Sequence, residues 1–369
     1  MKIAILTSSR ADYSIYLRLI QELMNDPDIS LEIIAFGTHI SKKYGHTVEK
    51  IIEDGFKISY EIDTMPLDDS PNAISEAMGK TINAFSVLWD KCNFDLVFCV
   101  GDRYEMFAAC SASIPFNIKL AHIHGGEQTI GAIDDIFRHC LSHMSKMHFV
   151  VSHPYKKRLI SLIGSNKNVF NVGALSIDNL KKLPLLSIVE FKERYNIDMN
   201  QPSVLITIHS ETVSFERNIE YINESIAAFY EMNEYQLIIT MPNADTMGLN
   251  IKKRLLEFIE SSSNAIGIES FGTIDYLSCM KHCSFMLGNT SSGFIEASFF
   301  PKYVINMGNR QKGRIQTKNI VNCEFKKDDI LLKVHAFDSI GVFPPVNIYG
   351  GGNAAKKILK IVKQTHVKK

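Results

Sequence analysis

The sequence Leu96-Val-Phe-Cys-Val-Gly-Asp-Arg-Tyr-Glu105 passes directly from a wholly apolar run into a polar turn. The apolar run, Leu96–Val100, indicates a buried strand, and Gly101-Asp102 follows as its carboxyl-terminal exit. Asp102 and Glu105 then open an apolar helix predicted to run to about Ser113, since acidic side chains suit the positive end of a helix dipole. This passage from strand to turn to helix is typical of a parallel α/β sheet.

Two further polar clusters follow before residue 140. A second short strand is predicted over residues 118–123, and it ends at His124-Gly-Gly-Glu127. The third cluster is Ile133-Asp-Asp-Ile-Phe-Arg-His139. In open α/β sheets, ligands bind outside the carboxyl ends of the strands. Helix capping would explain one Gly-Asp pair, but three clusters, two of them at strand ends, favour a functional site.

The composition limits the classes of protein to consider. The chain has 369 residues, enough for two domains of ordinary size. Because it contains 40 Lys and Arg against 40 Asp and Glu, binding to nucleic acid or to a membrane is not expected. No transmembrane run or signal peptide is expected either, and residues 2–7 are predicted to form the first strand. The seven cysteines lack paired spacing, so we expect free thiols and a cytoplasmic location.

Short apolar runs alternate with amphipathic helical patterns along the chain. Strands are predicted at residues 2–7, 31–36, 57–61, 95–100, 118–123, 147–151 and 169–172, then at 203–208, 235–240, 265–268, 284–287 and 303–306. A stretch rich in Leu and Lys, residues 180–186, is predicted to connect the two series.

This alternation predicts the fold class and the domain organisation. We predict an α/β fold of two Rossmann-like, doubly wound parallel-sheet domains facing a cleft, over residues 1–175 and 176–352. Residues 353–369 are predicted to form a terminal helix that returns to the first domain.

The turn Ser8-Ser-Arg-Ala-Asp-Tyr13 follows the first predicted strand. Arg10 beside hydroxyls and free backbone N–H groups would suit a phosphate. A helix N-cap with a surface arginine explains the stretch equally well. The glycine-rich fingerprint of dinucleotide-binding folds is absent, which disfavours NAD chemistry.

A hydroxyl-rich loop, Gly288-Asn-Thr-Ser-Ser-Gly293, lies between a predicted strand and a helix predicted over residues 294–299. Three hydroxyls between two glycines favour a diphosphate site at the helix N-terminus. The Lys-Ser/Thr ending of a P-loop is missing, so hydrolysis of a nucleoside triphosphate is not expected. Glu296, about one turn into the helix, suits the ribose hydroxyls, although a solvent-facing glutamate is nearly as good an explanation.

Histidines supply the remaining candidates. His209 follows a predicted strand and would bind phosphate or protonate a leaving oxygen. A capping box beginning at Ser210 explains the neighbouring residues but not the histidine. His122, Glu127, His139 and His143 do not have the spacing of a zinc site, so no metal is expected.

Taken together, these motifs resemble the UDP-N-acetylglucosamine 2-epimerase family. The resemblance is closest to the hydrolysing branch, which makes N-acetylmannosamine for sialic-acid synthesis. The shared motifs occur in the family's order at residues 9–12, 101–105, 122–127, 133–139, 288–293 and 308–314. The family has the GT-B architecture of two Rossmann-like domains, which agrees with the two series of strands.

The resemblance implies roles for individual residues. Asp102 and Asp134 would be catalytic carboxylates. A third acid–base role lies open between His124 and Glu127, because some members have a glutamate where this chain has His124. His209 would serve both catalysis and binding, and the other substrate-binding residues would be Arg10, Arg103, Thr290 (where serine is usual), Ser291, Ser292, Glu296 at the ribose and Arg310.

The implied reaction converts UDP-N-acetylglucosamine and water to N-acetylmannosamine and UDP through a glycal, without a cofactor. The same reaction on UDP-N,N'-diacetylbacillosamine, for legionaminic acid, remains an alternative. So do a GT-B glycosyltransferase and a non-catalytic nucleotide-sugar sensor. The expected partners are the UDP-sugar and UDP, within a homodimer or homotetramer.

Overall fold

A computed structural model of the chain describes residues 1–339, 343–344 and 346–367. The chain divides into two compact units. The first unit comprises Met1–Glu127, Asp134–Lys182 and Ile348–Lys369, and the second comprises Gln128–Ile133 and Leu183–Asn347. The second unit therefore contains a short segment that joins two parts of the first.

The first unit is built on a parallel sheet. Its strands are β1 (Lys2–Thr7), β2 (Ser30–Phe36), β3 (Ile58–Ile62), β4 (Leu96–Val100), β5 (Leu120–Ile123), β6 (Met147–Val150) and β7 (Val169–Asn171). Its helices are α1 (Arg10–Met24), α2 (Val48–Glu53), α3 (Pro71–Lys91), α4 (Tyr104–Ser111), α5 (Asp134–Met144), α6 (His153–Ile163) and α7 (Leu175–Lys182). In the described residues the strand order is β3-β2-β1-β4-β5-β6-β7, and Ile5 of β1 lies opposite Ile33 of β2 and Phe98 of β4. These three side chains are almost completely buried, as a sheet covered on both faces requires.

The second unit repeats this plan. Its strands are β8 (Ser203–Thr207), β9 (Gln236–Thr240), β10 (Ala265–Ile268), β11 (Phe285–Gly288), β12 (Tyr303–Met307) and β13 (Ile320–Cys323). Its helices are α8 (Ile188–Tyr195), α9 (Asn218–Phe229), α10 (Gly248–Ser261), α11 (Gly272–His282), α12 (Glu296–Phe299) and α13 (Lys327–Ala336). Within the described part of the chain, the parallel order is β10-β9-β8-β11-β12-β13. Buried Phe229, Phe258 and Phe285 lie in one apolar core beside this sheet.

Each sheet reverses its strand order once near the middle. The reversal lies between β1 and β4 in the first unit and between β8 and β11 in the second. Ligands of doubly wound sheets bind at the carboxyl ends of the strands beside such a reversal. The residues that follow these four strands are 8–12, 101–105, 208–212 and 289–293, so four of the polar stretches of the sequence lie at the two reversals.

After the second unit the chain returns to the first as α14 (Ala354–Val367). Asp178 of α7 accepts the N–H groups of Ala354 and Ala355 at 2.9 and 2.8 Å, so a carboxylate caps the positive end of α14. Near the other end, Lys363 Nζ lies 2.7 Å from Asp26 Oδ2 and 2.8 Å from Asp28 Oδ2. The terminal helix is thus attached to the first unit at both ends.

The structure corrects three element predictions. Strand β13 was not predicted, because its four residues include the partly exposed Val321 and the exposed Asn322 and so form no continuous apolar run. Residues 180–182 belong to α7 rather than to a connection, because Leu180 is buried. Of the helix predicted over residues 294–299, only Glu296–Phe299 is helical, as α12, so Glu296 is the first residue of the helix.

The compact units also differ from the predicted domain bounds, since α7 and residues 348–352 lie in the first unit and residues 128–133 in the second. Among the described residues, no helix has the length and apolar character needed to cross a membrane.

Candidate active site

The turn after β4 places Asp102 beside a buried arginine. Arg138 of α5 donates from Nη2 to Asp102 Oδ2, and from Nη1 to Asp135 Oδ1 at 3.3 Å. The Arg138 side chain is 1% exposed, whereas that of Asp102 is 23% exposed. A fully buried guanidinium therefore orients Asp102 while leaving one side of this carboxylate accessible.

A second pair lies at the exit of β5. His124 Nδ1 is 2.5 Å from Glu127 Oε1, and the two side chains are 7% and 1% exposed. Because an ionised carboxylate only accepts hydrogen bonds, the proton of a neutral ring lies on Nδ1. The other ring nitrogen, Nε2, is buried and has no hydrogen-bond partner among the described residues. An imidazole oriented in this way by a carboxylate is suited to proton transfer at Nε2.

The backbone between His124 and Glu127 is tightly constrained. His124 itself has φ 70°, in the left-handed region that few non-glycine residues adopt. A Cβ on Gly126, where φ is 81°, would lie 2.4 Å from the carbonyl oxygen of Tyr155. This position therefore requires glycine, and the close packing against α6 fixes the turn that carries the pair.

His122 connects the exits of β4 and β5. Its Nε2 lies 2.9 Å from the carbonyl oxygen of Gly101, and its Nδ1 lies 3.0 Å from Ser142 Oγ. A carbonyl can only accept, so Nε2 carries the proton and Nδ1 accepts the hydroxyl hydrogen of Ser142. Burial lowers the pKa of His122 to about 3, which keeps the ring neutral. His122 thus holds the backbone directly before Asp102.

The burial of three histidines in the first unit predicts how its unfolding free energy depends on pH. Burial lowers the pKa of His39 and His122 from 6.5 to about 3, and that of His148 from 6.5 to about 4. Unfolded imidazoles bind protons below pH 6.5, so the stability gained by burying them neutral is present above pH 6.5 and is lost as the pH falls toward the folded values. In urea denaturation, the unfolding free energy of the wild type should therefore fall more between pH 7.5 and 4.5 than that of His39→Gln. The exposed His153→Gln serves as control, and equal pH slopes for His39→Gln and wild type would contradict this expectation.

The turn after β1 corrects one part of the phosphate prediction. Ser9 is the N-cap of α1, and Arg10 is the first residue of that helix. The N–H and hydroxyl groups of Ser8 donate to Asp12 Oδ2 at 2.8 and 2.7 Å, and the Asp12 N–H donates to Ser9 Oγ at 3.3 Å. The prediction of free backbone donors here is therefore wrong for Ser8 and Asp12. Burial raises the pKa of Asp12 despite the hydrogen bonds from Ser8.

Arg103, a predicted substrate-binding residue, lies in the turn after β4. Its Nε and Nη2 lie 3.2 and 3.1 Å from the two carboxylate oxygens of Glu105. Both side chains are buried. Arg103 is therefore a fixed positive charge, and a bidentate ion pair determines its orientation.

In the second unit, Asn289 joins the two strand exits at the reversal. Its side-chain amide accepts the His209 N–H at 2.7 Å and donates to the His209 carbonyl at 2.8 Å. His209 Nδ1 accepts the N–H of Asn243 at 3.2 Å. A neutral His209 ring therefore carries its proton on Nε2, in the form that donates to an anionic oxygen.

The hydroxyl-rich loop forms a short 3₁₀ turn over Ser291–Gly293 rather than the start of a long helix. Thr290 Oγ1 caps this turn by accepting the Ser292 N–H at 3.4 Å. Ser292 Oγ lies 2.6 Å from the hydroxyl of Tyr276, whose pKa is raised to about 12 by burial. Because the helix that follows has four residues, its dipole contributes little to binding an anion at this loop.

Arg310 lies in a loop that Glu211 holds in place. Glu211 Oε1 accepts the backbone N–H of Asn309, and that of Arg310 at 2.9 Å. The Arg310 guanidinium lies 3.5 Å from the Asn289 carbonyl oxygen and 3.8 Å from Asp245 Oδ2. Its Nε is buried without a hydrogen-bond partner in the described residues.

The predicted residues thus fall into two groups. The first unit brings Asp102, His124 and Glu127 to neighbouring strand exits, with Asp134 at the start of α5 and Arg10 at that of α1. The second unit brings His209, Thr290, Ser291, Ser292 and Arg310 to one reversal, with Glu296 at the start of α12. The sequence assigns no role to His122, Arg138 and Asn289, although each lies in a motif, or to Glu211, two residues after His209. It gives no signal for Tyr276 or Asp245. The described residues hold no group of three or more His, Cys, Asp or Glu arranged for a metal ion.

Comparison with known proteins adds independent information. The sequence pattern of the UDP-N-acetylglucosamine 2-epimerase family matches residues 21–363. A GDP/UDP-N,N'-diacetylbacillosamine 2-epimerase (hydrolyzing) of Campylobacter jejuni is 36% identical over 329 residues, which are 89% of this chain and 85% of that protein. Polysialic acid biosynthesis protein P7 of Escherichia coli is 32% identical over 368 residues, 98% of this chain and 93% of that protein.

The fold is similar to that of a solved structure, the UDP-GlcNAc 2-epimerase from Neisseria meningitidis bound to UDP-GlcNAc. The TM-score is 0.83 at 19% identity, and the alignment covers 99% of this chain and 100% of that one. This similarity confirms the predicted class, two GT-B-like parallel-sheet α/β units. The motifs, the fold and the match over most of the sequence agree, and the chain belongs to the UDP-N-acetylglucosamine 2-epimerase family of UDP-sugar 2-epimerases.

Proposed function

We propose that the chain is a hydrolysing 2-epimerase that converts UDP-N-acetylglucosamine and water to N-acetylmannosamine and UDP, for sialic-acid-type sugar biosynthesis. The observation that carries the proposal is the buried His124–Glu127 pair at the exit of β5, on the strand next to the one that leads to Asp102. Inversion at C2 needs a base on one face of the carbon and an acid on the other. Two neighbouring strand exits supply candidates for both.

The proposed reaction has two stages. UDP leaves C1 with the electrons of the C1–O bond, while a base takes the C2 proton and a glycal forms. Water then adds at C1, and an acid returns a proton to the opposite face of C2. These steps move protons and water but no electrons to an acceptor, so they require no redox cofactor.

The first unit would supply the acid–base chemistry. Loss of UDP builds oxocarbenium character at C1, which the carboxylates of Asp102 and Asp134 would stabilise. Arg138 would keep Asp102 oriented. We assign the third acid–base role to His124 Nε2, with Glu127 as the group that holds its tautomer, because Nε2 is buried and has no partner among the described residues.

The second unit would hold the nucleotide. We assign the diphosphate to His209 and to the hydroxyls of Thr290, Ser291 and Ser292. Arg10 is proposed as a further substrate-binding residue, as the family resemblance implies. Glu296 would accept the ribose hydroxyls, and Arg310 would lie beside the nucleotide. Arg103 would act on the substrate as a fixed charge, since Glu105 holds its guanidinium.

UDP-N,N'-diacetylbacillosamine is a second candidate substrate. It is favoured by the C. jejuni protein, which is 36% identical and whose name gives this sugar with GDP or UDP. Incubating the purified chain with UDP-N-acetylglucosamine and with the UDP and GDP forms of diacetylbacillosamine would rank the three by rate of nucleotide release. The highest kcat/KM identifies the substrate.

Isotopes in the solvent test the reaction itself. In deuterium oxide, the released sugar should carry one deuterium at C2, because the returning proton comes from an exchangeable acid. In oxygen-18 water, the C1 hydroxyl should be labelled, because C1–O cleavage rather than O–P cleavage releases UDP. The C1 label must be measured promptly by mass spectrometry, before ring opening exchanges it with solvent.

The alternatives give different labels. A glycosyltransferase that hydrolyses slowly would label C1 but leave C2 protiated and uninverted. A non-hydrolysing epimerase would label C2 and leave the sugar on UDP, and a sensor would release nothing. Absence of either label from the free, C2-inverted sugar would refute the proposal.

A further inference from the structure

Residues 128–133, here called the crossing segment, join two parts of the first unit but belong to the second. The Ile130 N–H donates to the Lys312 carbonyl at 3.0 Å. The Ile133 N–H donates to the hydroxyl oxygen of Thr212 at 2.9 Å. Thr129 and Ala132 are 3% and 2% exposed. The crossing segment is therefore hydrogen-bonded near its middle and at its last residue.

Close packing also fixes the crossing segment against residues 309–313. A Cβ on Gly131 would lie 2.4 Å from the Asn309 carbonyl oxygen, closer than atoms can approach. A Cβ on Gly313 would lie 2.7 Å from Gln128 Cβ. These two contacts leave the segment little freedom to slide along the loop.

Thr212, which accepts the Ile133 N–H, lies in a turn that also binds the loop of Arg310. Glu211, directly before Thr212, accepts the N–H groups of Asn309 and Arg310. Thr212 is 7% exposed and follows the exit of β8, which also carries His209. One short turn after β8 thus holds both the loop of Arg310 and the end of the crossing segment.

The crossing segment is bounded by two residues of the proposed chemistry. Glu127 precedes it and Asp134 follows it, as the first residue of α5. Building on the proposed function, we propose that Thr212 is a positioning residue for catalysis. Its hydroxyl fixes the backbone of Ile133, and through it the start of α5 and the Asp134 carboxylate, without contributing to UDP affinity.

Thr212→Val tests this role, because valine keeps the shape and removes the hydroxyl. We expect kcat to fall at least about tenfold, since small displacements of a reacting group lower rates strongly. KM and the calorimetric Kd for UDP should stay within about twofold of wild type, and Thr212→Ser, which keeps the hydroxyl, should restore kcat. Thr81→Val is the matched control, because Thr81 is also buried but its hydroxyl bonds Thr64 and Ala77 in the first unit.

Amide hydrogen exchange tests the contact without turnover. The Ile133 N–H should exchange faster in Thr212→Val than in wild type or in Thr81→Val. The inference is overturned if Thr212→Val leaves the exchange of the Ile133 N–H or kcat unchanged. It is also overturned if Thr212→Ser does not restore kcat, or if Thr212→Val lowers the UDP affinity as much as kcat. If wild type releases no UDP from any sugar nucleotide, the proposed function and the catalytic role of Thr212 both fail. If wild type is active and Thr212→Val is equally active, only this inference fails.

Discussion

Asp102→Asn is expected to keep the fold and the UDP affinity but to lose about 10³-fold or more in kcat. The asparagine has the same size and can still lie beside Arg138, but it has neither the negative charge nor the basicity of a carboxylate. The charge matters only when positive character develops at the sugar, so the loss should appear in kcat rather than in UDP binding. Steady-state kinetics together with calorimetry of UDP measures both quantities.

The same strand offers a matched control for this substitution. Asp95 lies directly before β4, at the opposite end from Asp102, and accepts the Lys2 N–H at 2.8 Å. Asp95→Asn removes one charge from the same element, yet kcat should remain near that of wild type. Circular dichroism and thermal unfolding check that both variants are folded. Substantial turnover by a well-folded Asp102→Asn would exclude Asp102 from the chemistry.

Glu127→Gln is expected to lower kcat by about 10²- to 10⁴-fold, since removing the carboxylate that orients a catalytic histidine costs up to about 10⁴-fold. The glutamine amide can donate to Nδ1, which moves the proton of a neutral His124 ring to Nε2. Nε2, to which we assign the third acid–base role, is then already protonated and cannot take the C2 proton. The loss should therefore appear in kcat for glycal formation, measured as the rate of UDP release.

The chain contains a matched control for this pair as well. His46 and Glu49 have the same spacing and the same contact, with Nδ1 2.9 Å from Oε1, but they lie on the surface. Glu49→Gln should leave kcat unchanged. If His124→Gln keeps high activity while Glu127→Gln loses it, then Glu127 itself is the acid–base group and the assignment to His124 is wrong.

The sequence predicted most of the strands because parallel sheets leave a strong local signal. Buried strands such as β4 are continuous apolar runs, and their polar exits follow immediately in sequence, so Asp102 and His124 could be located. Strand β13 lacks such a run, because the exposed Asn322 interrupts its apolar residues, and it was missed for that reason. The start of α12 was also missed. Residue 299 is the predicted and the observed end, but the hydroxyl-rich loop forms a 3₁₀ turn and the helix begins only at Glu296.

The partners of the candidate residues were harder to predict than the residues themselves. Arg138 contacts Asp102 from 36 positions away, and Asn289 contacts His209 from 80 positions away. Periodicity reports which face of an element is buried, but it contains no information on which distant side chains meet. The engagement of Ser8 by Asp12 was missed although it is local, because a serine beside an aspartate fits a ligand site and a self-contained turn equally well.

The attachment of α14 to Asp178 has a consequence for synthesis of the chain. The second unit consists of residues 128–133 and 183–347, whereas the first also includes α14. A ribosome therefore delivers the last element of the first unit after every residue of the second. Until Ala354 and Ala355 have emerged, the buried carboxylate of Asp178 lacks the N–H donors that the finished fold provides. The first unit contains Met1, yet it is the later of the two units to have all of its residues synthesised.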